Sequence, residues 1–309
     1  MWEFWCLVAM VLLERPLEVH TFAHPNPKSP PLVWSQSTRD ESIAARLERL
    51  ALAKGGLKDA RTIVFDKDGT LGEDAASLKR WAIYMTQQLE VELKDLDTRE
   101  GLMKEFHAHL GWDPQTQALL PSAPLAAGTW QDQVVTTQTI LQKANLDPDL
   151  AVAWHAEMER MGIHGADPPV LKDGGLRAMM EACRDDHGLL VSVCTSDDTI
   201  PTREALALWG VDDVVRCSVC ADQVSEPKPS AVPLRTLCRH LEVEPHQCIV
   251  VGDTVSDTGM ARNANALLCI GVLTGSGTAS QLLETGADVV VPDVGHVPAL
   301  LSRLRAGSS

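Results

Sequence analysis

The second half of the chain alternates short apolar runs with longer amphipathic stretches, and few folds accept that pattern. Leu189-Leu-Val-Ser-Val-Cys194, Cys248-Ile-Val-Val251, Leu267-Leu-Cys-Ile-Gly271 and Asp288-Val-Val-Val291 each read as a buried strand. A further strand is expected near 213–219. Helices are expected near 173–186, 200–209, 230–242, 257–264 and 278–285, between the strands. Such alternation implies an α/β architecture, a Rossmann-like parallel sheet with helices on both faces. The 309 residues suffice for one large domain or two smaller ones.

One strand of the same kind lies far upstream. Residues 61–66 run apolar into Asp66-Lys67-Asp68-Gly69-Thr70-Leu71. The two acids therefore sit just past a strand's carboxyl end, where parallel sheets bind ligands. Carboxylates this close repel, and a hard divalent cation such as Mg2+ would hold both ionised. Lys67, between them, is expected to point away from the metal and tune little. Residues 73–167 carry helical periodicity at 74–92, 98–110, 129–144 and 148–161, with a Pro/Ala/Gly stretch at 121–128. They read as an all-helical insertion entered and left beside the first strand. The expected organisation is an N-terminal arm and helix (1–56), a core (57–72 and 168–309) and the insertion (73–167). Residues 40–54 form the helix of the first part. Residues 2–13 are apolar but too short to span a bilayer, and residues 14–35 are Pro-rich and expected to be irregular and in part disordered.

The formal charge of −15 argues against a nucleic-acid grip, which needs a basic face, and no membrane partner is expected. The eight cysteines are scattered and read as reduced core thiols of a cytoplasmic protein, with organellar import through the arm left open. Cys217-Ser-Val-Cys220 is a lone C-x-x-C, better explained as strand-end thiols than as a zinc site.

Three more strand ends carry polar chemistry. Thr195-Ser196-Asp197 offers a hydroxyl and free backbone N–H groups ahead of a helix, a suitable phosphate cradle. Lys228 lies between Pro227 and Pro229, and Gly252-Asp253-Thr254-Val255-Ser256-Asp257 again sets two acids after an apolar run. Taken singly these are a helix cap, a surface lysine in a proline turn and another cap. Together, at the mouths of four parallel strands, they are hard to dismiss.

The ordered set resembles the haloacid dehalogenase-like phosphohydrolase superfamily over residues 61–72 and about 168–295. Its tail, Gly271-Val-Leu-Thr-Gly-Ser-Gly277 with Gly286-Ala-Asp288, is similar to phosphoglycolate-phosphatase-like members. The resemblance implies a helical cap at 73–167 and hydrolysis of a small phosphorylated metabolite. It implies Asp66 as nucleophile and Asp68 as general acid and base, with Thr195, Ser196 and Lys228 on the phosphoryl oxygens. It also implies Mg2+ held by Asp66, the Asp68 backbone and Asp253, with Asp257 holding metal waters or orienting Lys228. A sugar-phosphate mutase of the same fold and a non-catalytic regulatory member stay open. Oligomeric state and exact substrate are not set by these residues, and Lys79, Arg80, Trp81, His107, His109 and Trp130 are as readily read as surface or packing positions.

Overall fold

The computed structural model describes residues 33–34, 41–73, 75–120, 123–127, 130–161 and 167–306. Apart from Val33 and Trp34, the arm read from residues 1–40 lies outside them. In chain order the elements begin with α1 (Glu41–Ala53), β1 (Thr62–Phe65), α2 (Ala75–Glu92) and α3 (Arg99–Leu110). There follow β2 (Trp112–Asp113), β3 (Ala118–Leu119), α4 (Pro124–Ala127), α5 (Trp130–Lys143) and α6 (Asp149–Arg160). Next come α7 (Gly175–Asp185), β4 (Leu190–Cys194), α8 (Thr199–Leu208), β5 (Cys217–Val219) and α9 (Val232–Leu241). The described chain closes with β6 (Cys248–Gly252), α10 (Val255–Ala264), β7 (Leu268–Val272), α11 (Ala279–Thr285), β8 (Val289–Val291) and α12 (Val297–Ala306).

Six of these strands form one parallel sheet in the order β5-β4-β1-β6-β7-β8. The upstream strand takes the central place: Phe65 pairs with Val193 on one side and Val251 on the other. Successive side chains of a strand point to opposite faces, and the core divides accordingly. Ile63, Phe65, Val193, Ile249 and Val251 pack with Leu47 of α1, Met180 of α7 and Leu300 and Leu304 of α12. Val64, Cys194, Val250 and Cys269 pack with Leu234 and Leu237 of α9, Met260 of α10 and Leu282 of α11. Each large apolar side chain buried this way stabilises the fold by roughly 1.5–3 kcal/mol.

The structure departs from the sequence expectations in three places. The strand expected at 213–219 shortens to β5, because Val214 and Val215 donate back to the Val211 carbonyl in a turn (3.0 and 3.1 Å). α12 was not expected, although Val297, Leu300, Leu301 and Leu304 mark one helical face and are all fully buried. The insertion is also not purely helical. Gly111 ends α3 in the left-handed region (φ 78°), and β2 and β3 pair across a turn capped by Asp113. That carboxylate accepts from the Gln115 N–H (2.9 Å) and the Thr116 hydroxyl (2.6 Å). The Pro/Ala/Gly stretch meanwhile contains α4.

Residues of the insertion share a hydrophobic cluster of their own, built on Trp81, Met85, Leu89, Phe106, Leu110, Leu141 and Met158. Its two connections to the sheet run side by side. The Glu73 N–H donates to the Pro168 carbonyl (2.9 Å), and the Val170 N–H donates to the Leu71 carbonyl (2.8 Å). Asp167 accepts from the Ser77 N–H in the first turn of α2 and from Arg80, while its carbonyl accepts from Trp209 Nε1 (2.9 Å). Among the described residues, no helix is long and apolar enough to cross a membrane.

Candidate active site

Adjacent strands in register deliver adjacent residues. Because Phe65 of β1 stands opposite Val251 of β6, the chain beyond each strand emerges at the same edge, and the Asp66 N–H donates to the Val251 carbonyl (2.9 Å). Asp66, Asp253 and Asp257 are buried there, and their carboxylate oxygens lie within 4.8 Å of one another. Lys228 reaches the same point from the loop after β5. Its Nζ donates to Asp66 Oδ1 (2.6 Å) and Asp257 Oδ1 (2.6 Å), and it lies 3.3 Å from the Cys194 carbonyl. Its side chain is only 3% exposed, so the surface-lysine reading is excluded.

Each acid has a distinct set of partners. Asp257 places Oδ1 on Lys228, while Oδ2 accepts from the Thr254 N–H (3.0 Å) and hydroxyl (2.6 Å), capping α10. Both of its oxygens are committed, which suits orienting the lysine better than ligating a metal. Asp253 accepts from the Thr70 hydroxyl (3.0 Å) on Oδ1 and from the Ser276 N–H (3.1 Å) on Oδ2. Two glycines make room for it. A Cβ on Gly69, which also sits in the left-handed region (φ +77°), would fall 2.6 Å from Asp253 Oδ2, and one on Gly275 would fall 1.9 Å from it.

The Asp68 carboxylate stands outside that trio, 44% exposed at the mouth. Lys67 points away from the Asp66, Asp253 and Asp257 trio, toward acids of two neighbouring turns. Its buried ammonium bridges Asp68 Oδ1 (2.5 Å) and Asp197 Oδ2 (3.0 Å), because the turn after β1 faces the turn after β4 and both present acids. Thr195 is buried in that second turn, and Ser196 is half-buried. The loop's N–H groups are less free than the sequence suggested. That of Asp197 donates to Thr195 Oγ1 (3.1 Å) and that of Asp198 to Asp197 Oδ1 (2.8 Å). Short polar side chains satisfy their own turn in this way.

Charge in the trio does not balance. Three buried carboxylates face one buried ammonium, which leaves two negative charges. Burial pushes the Asp66 carboxyl well above the usual carboxylate range; Lys228 opposes this, while Asp257, Asp253 and Asp68 add to it. Burial works against the charge on Lys228 too, but Asp257 and Asp66 outweigh it and hold the ammonium well above the ordinary lysine value. A hard divalent cation on carboxylate oxygens would restore neutrality, so the donor set fits such an ion. Among the described residues this trio is the group of acids, histidines and cysteines close enough to hold one. Cys217 and Cys220 gather no such set, and the described cysteines are free thiols.

Thr70, Ser276 and Gly275 were not singled out by sequence reasoning, although the Gly271–Gly277 run was the available signal. Positions in the insertion read as packing behave that way. Trp81 is fully buried and donates to His155 Nδ1 (3.3 Å), and His107 Nε2 contacts the Thr86 hydroxyl (3.1 Å).

The family model for haloacid dehalogenase-like hydrolases matches residues 60–265. The phosphoglycolate phosphatase of Nitrosospira multiformis is 23% identical over 253 residues, covering 79% of this chain and 96% of that protein. The plasmid-borne phosphoglycolate phosphatase of Cupriavidus necator is 34% identical over 131 residues, 42% of this chain. That alignment spans 56% of the Cupriavidus protein's length. The crystal structure of a predicted phosphoglycolate phosphatase from Haemophilus somnus superposes with a TM-score of 0.54 at 17% identity, covering 78% of this chain and 97% of that one. This last likeness speaks for the fold.

Proposed function

Because the chain belongs to the haloacid dehalogenase-like hydrolase family, we propose that it is a phosphatase acting on a small phosphorylated metabolite, with phosphoglycolate the first candidate. One observation carries the reading: a buried lysine bonded at 2.6 Å to both Asp66 and Asp257, in a cluster that also contains Asp253. An isolated buried acid cluster would be costly, whereas one that receives a phosphoryl group and a cation has a use for each member.

Asp66 is the nucleophile. Its carboxylate attacks phosphorus in line, the bond to the ester oxygen breaks, and the leaving alkoxide takes a proton from Asp68. Asp68, now ionised, takes a proton from water. The resulting hydroxide attacks the aspartyl-phosphate, freeing inorganic phosphate and restoring Asp66. Lys228 and Thr195 hold the phosphoryl oxygens while charge moves across them, and Asp257 keeps Lys228 aimed. Asp66 and Asp253, with the Asp68 backbone, would hold Mg2+, which when bound supplies charge neutralisation at the phosphoryl group. Residues 73–167 act as a cap whose closure excludes water, and Ser276, 3.3 Å from the Ala126 carbonyl of α4, touches both halves of that boundary.

Phosphate release from phosphoglycolate, a panel of sugar phosphates and an aryl phosphate, with Mg2+ and with chelator, tests the reading. Mg2+-dependent release is expected. Phosphate moved between positions of a sugar without net release would favour a mutase, and inertness toward every ester would defeat the proposal.

A further inference from the structure

Lys67 has no part in the chemistry set out so far, yet it is 5% exposed and its ammonium lies between two carboxylates. A lysine is rarely buried without a specific partner set, and its long side chain costs entropy to fix. Here the partners come from two different strand ends. Asp68 follows β1, and Asp197 follows β4 at the start of α8. Asp197 is itself held, because its Oδ1 accepts from the Asp198 N–H (2.8 Å) and its carbonyl accepts from the Ala221 N–H (2.9 Å). The Lys67 bridge therefore ties the half-exposed Asp68 carboxylate to a braced turn. Its bond engages Asp68 Oδ1 and leaves Oδ2 to carry the proton that the proposed reaction moves.

We propose that Lys67, anchored by Asp197, is a positioning residue that fixes the Asp68 carboxylate for proton transfer to the leaving group. The proposal rests on the phosphatase reading given above. It separates Lys67 from the phosphate-binding lysine, because Lys228 touches Asp66 and Asp257 while Lys67, among the described residues, pairs with the acid at the mouth and its anchor.

The leaving group supplies the test. An alkoxide needs a proton as it departs, whereas p-nitrophenolate leaves readily without one. Lys67→Met should lower kcat for phosphoglycolate by roughly 10–100-fold, a part of the ~10²–10⁴ that general acid catalysis contributes. KM should change little, and the fall for p-nitrophenyl phosphate should be far smaller. Lys67→Arg should restore part of the loss. Asp197→Asn should show the same leaving-group pattern, and the double variant should be no worse than Lys67→Met alone, as expected of residues acting through one contact. Equal losses on both esters, a rise confined to KM, or additive single losses would overturn the assignment while leaving the phosphatase reading intact. Should Lys67→Met fail to fold, Asp197→Asn decides by the same leaving-group ratio. A wild-type protein inert toward both esters and toward the sugar-phosphate panel would instead overturn the phosphatase reading, and the role of Lys67 with it.

Discussion

Replacing Gly275 by alanine adds one methyl group where Asp253 already stands. The new Cβ would lie 1.9 Å from Asp253 Oδ2, 2.4 Å from Cγ and 2.9 Å from Cβ. Ordinary contact begins near 3.4 Å, so the nearest oxygen must retreat by the difference of 1.5 Å. Rotating the carboxylate does not relieve this, because the Asp253 Cβ is also too close. Either the turn after β6 or the 273–277 loop has to move, and both are pinned. Asp253 is bonded to Thr70 and to the Ser276 N–H, and the Thr274 hydroxyl donates to the Gly69 carbonyl (2.5 Å). Misplacement of about 1 Å in a catalytic constellation costs on the order of 100-fold, or about 2.7 kcal/mol of transition-state stabilisation. Overpacking also costs roughly 1–3 kcal/mol of stability. Gly275→Ala should therefore lose about two orders of magnitude in kcat/KM. Its Mg2+ requirement should shift to higher concentration, and the rise in melting temperature with Mg2+ expected of wild type should be lost. Steady-state hydrolysis over a Mg2+ series, with thermal unfolding in parallel, reads all three. Wild-type turnover and an unchanged Mg2+ response would refute the argument that this glycine exists to admit Asp253.

Gly101 makes the contrasting case, since a Cβ there meets nothing within 4 Å in helix α3. Gly101→Ala should raise stability by about 0.4–1 kcal/mol through the unfolded chain, with turnover unchanged, as thermal unfolding and hydrolysis rates would show. Lys228→Met leaves Asp66 and Asp257 buried without their counter-charge and should cost about 3–5 kcal/mol in the metal-free protein, measured by urea unfolding. The Lys228 ammonium is raised above its unfolded value, so its contribution is fully present below about pH 10.4 and is lost at higher pH. Asp66 shifts stability with pH in the same direction, in a lower pH window. Its carboxyl is also raised, so above about pH 4 the unfolded chain gives up a proton that the native state still holds, and metal-free stability falls as pH rises toward neutrality. Asp66→Asn should flatten that profile and raise the melting temperature measured with chelator at neutral pH; identical profiles for the two proteins would count against it.

The parts of the site legible in the sequence are those written at strand ends. Asp66, Lys228, Asp253 and Asp257 follow apolar runs or sit between prolines, and the sheet register alone brings the first and third together. That Lys67 points away from the metal trio was legible, but its partner Asp197 was not, because only the fold brings the turn after β4 beside the turn after β1. Gly275 was equally opaque: nothing local demands a glycine there, and the demand comes from a carboxylate 22 positions upstream. In the fold, α12 was written plainly in Val297, Leu300, Leu301 and Leu304, whereas the β2–β3 hairpin is too short for any periodicity to announce it.

The central position of β1 bears on how the protein is made. Its neighbours in the sheet begin 128 and 186 residues later, at Leu190 and Cys248. At a synthesis rate of about 5–20 residues per second, the stretch Thr62–Phe65 leaves the ribosome on the order of 10–40 s before both flanks of its slot exist. Throughout that interval an apolar β segment waits unpaired, and neither Asp66 nor Lys228 has a pocket. The insertion, with its own cluster of Trp81, Phe106 and Leu141, has the contacts to collapse first and to keep that waiting segment close to where it must dock.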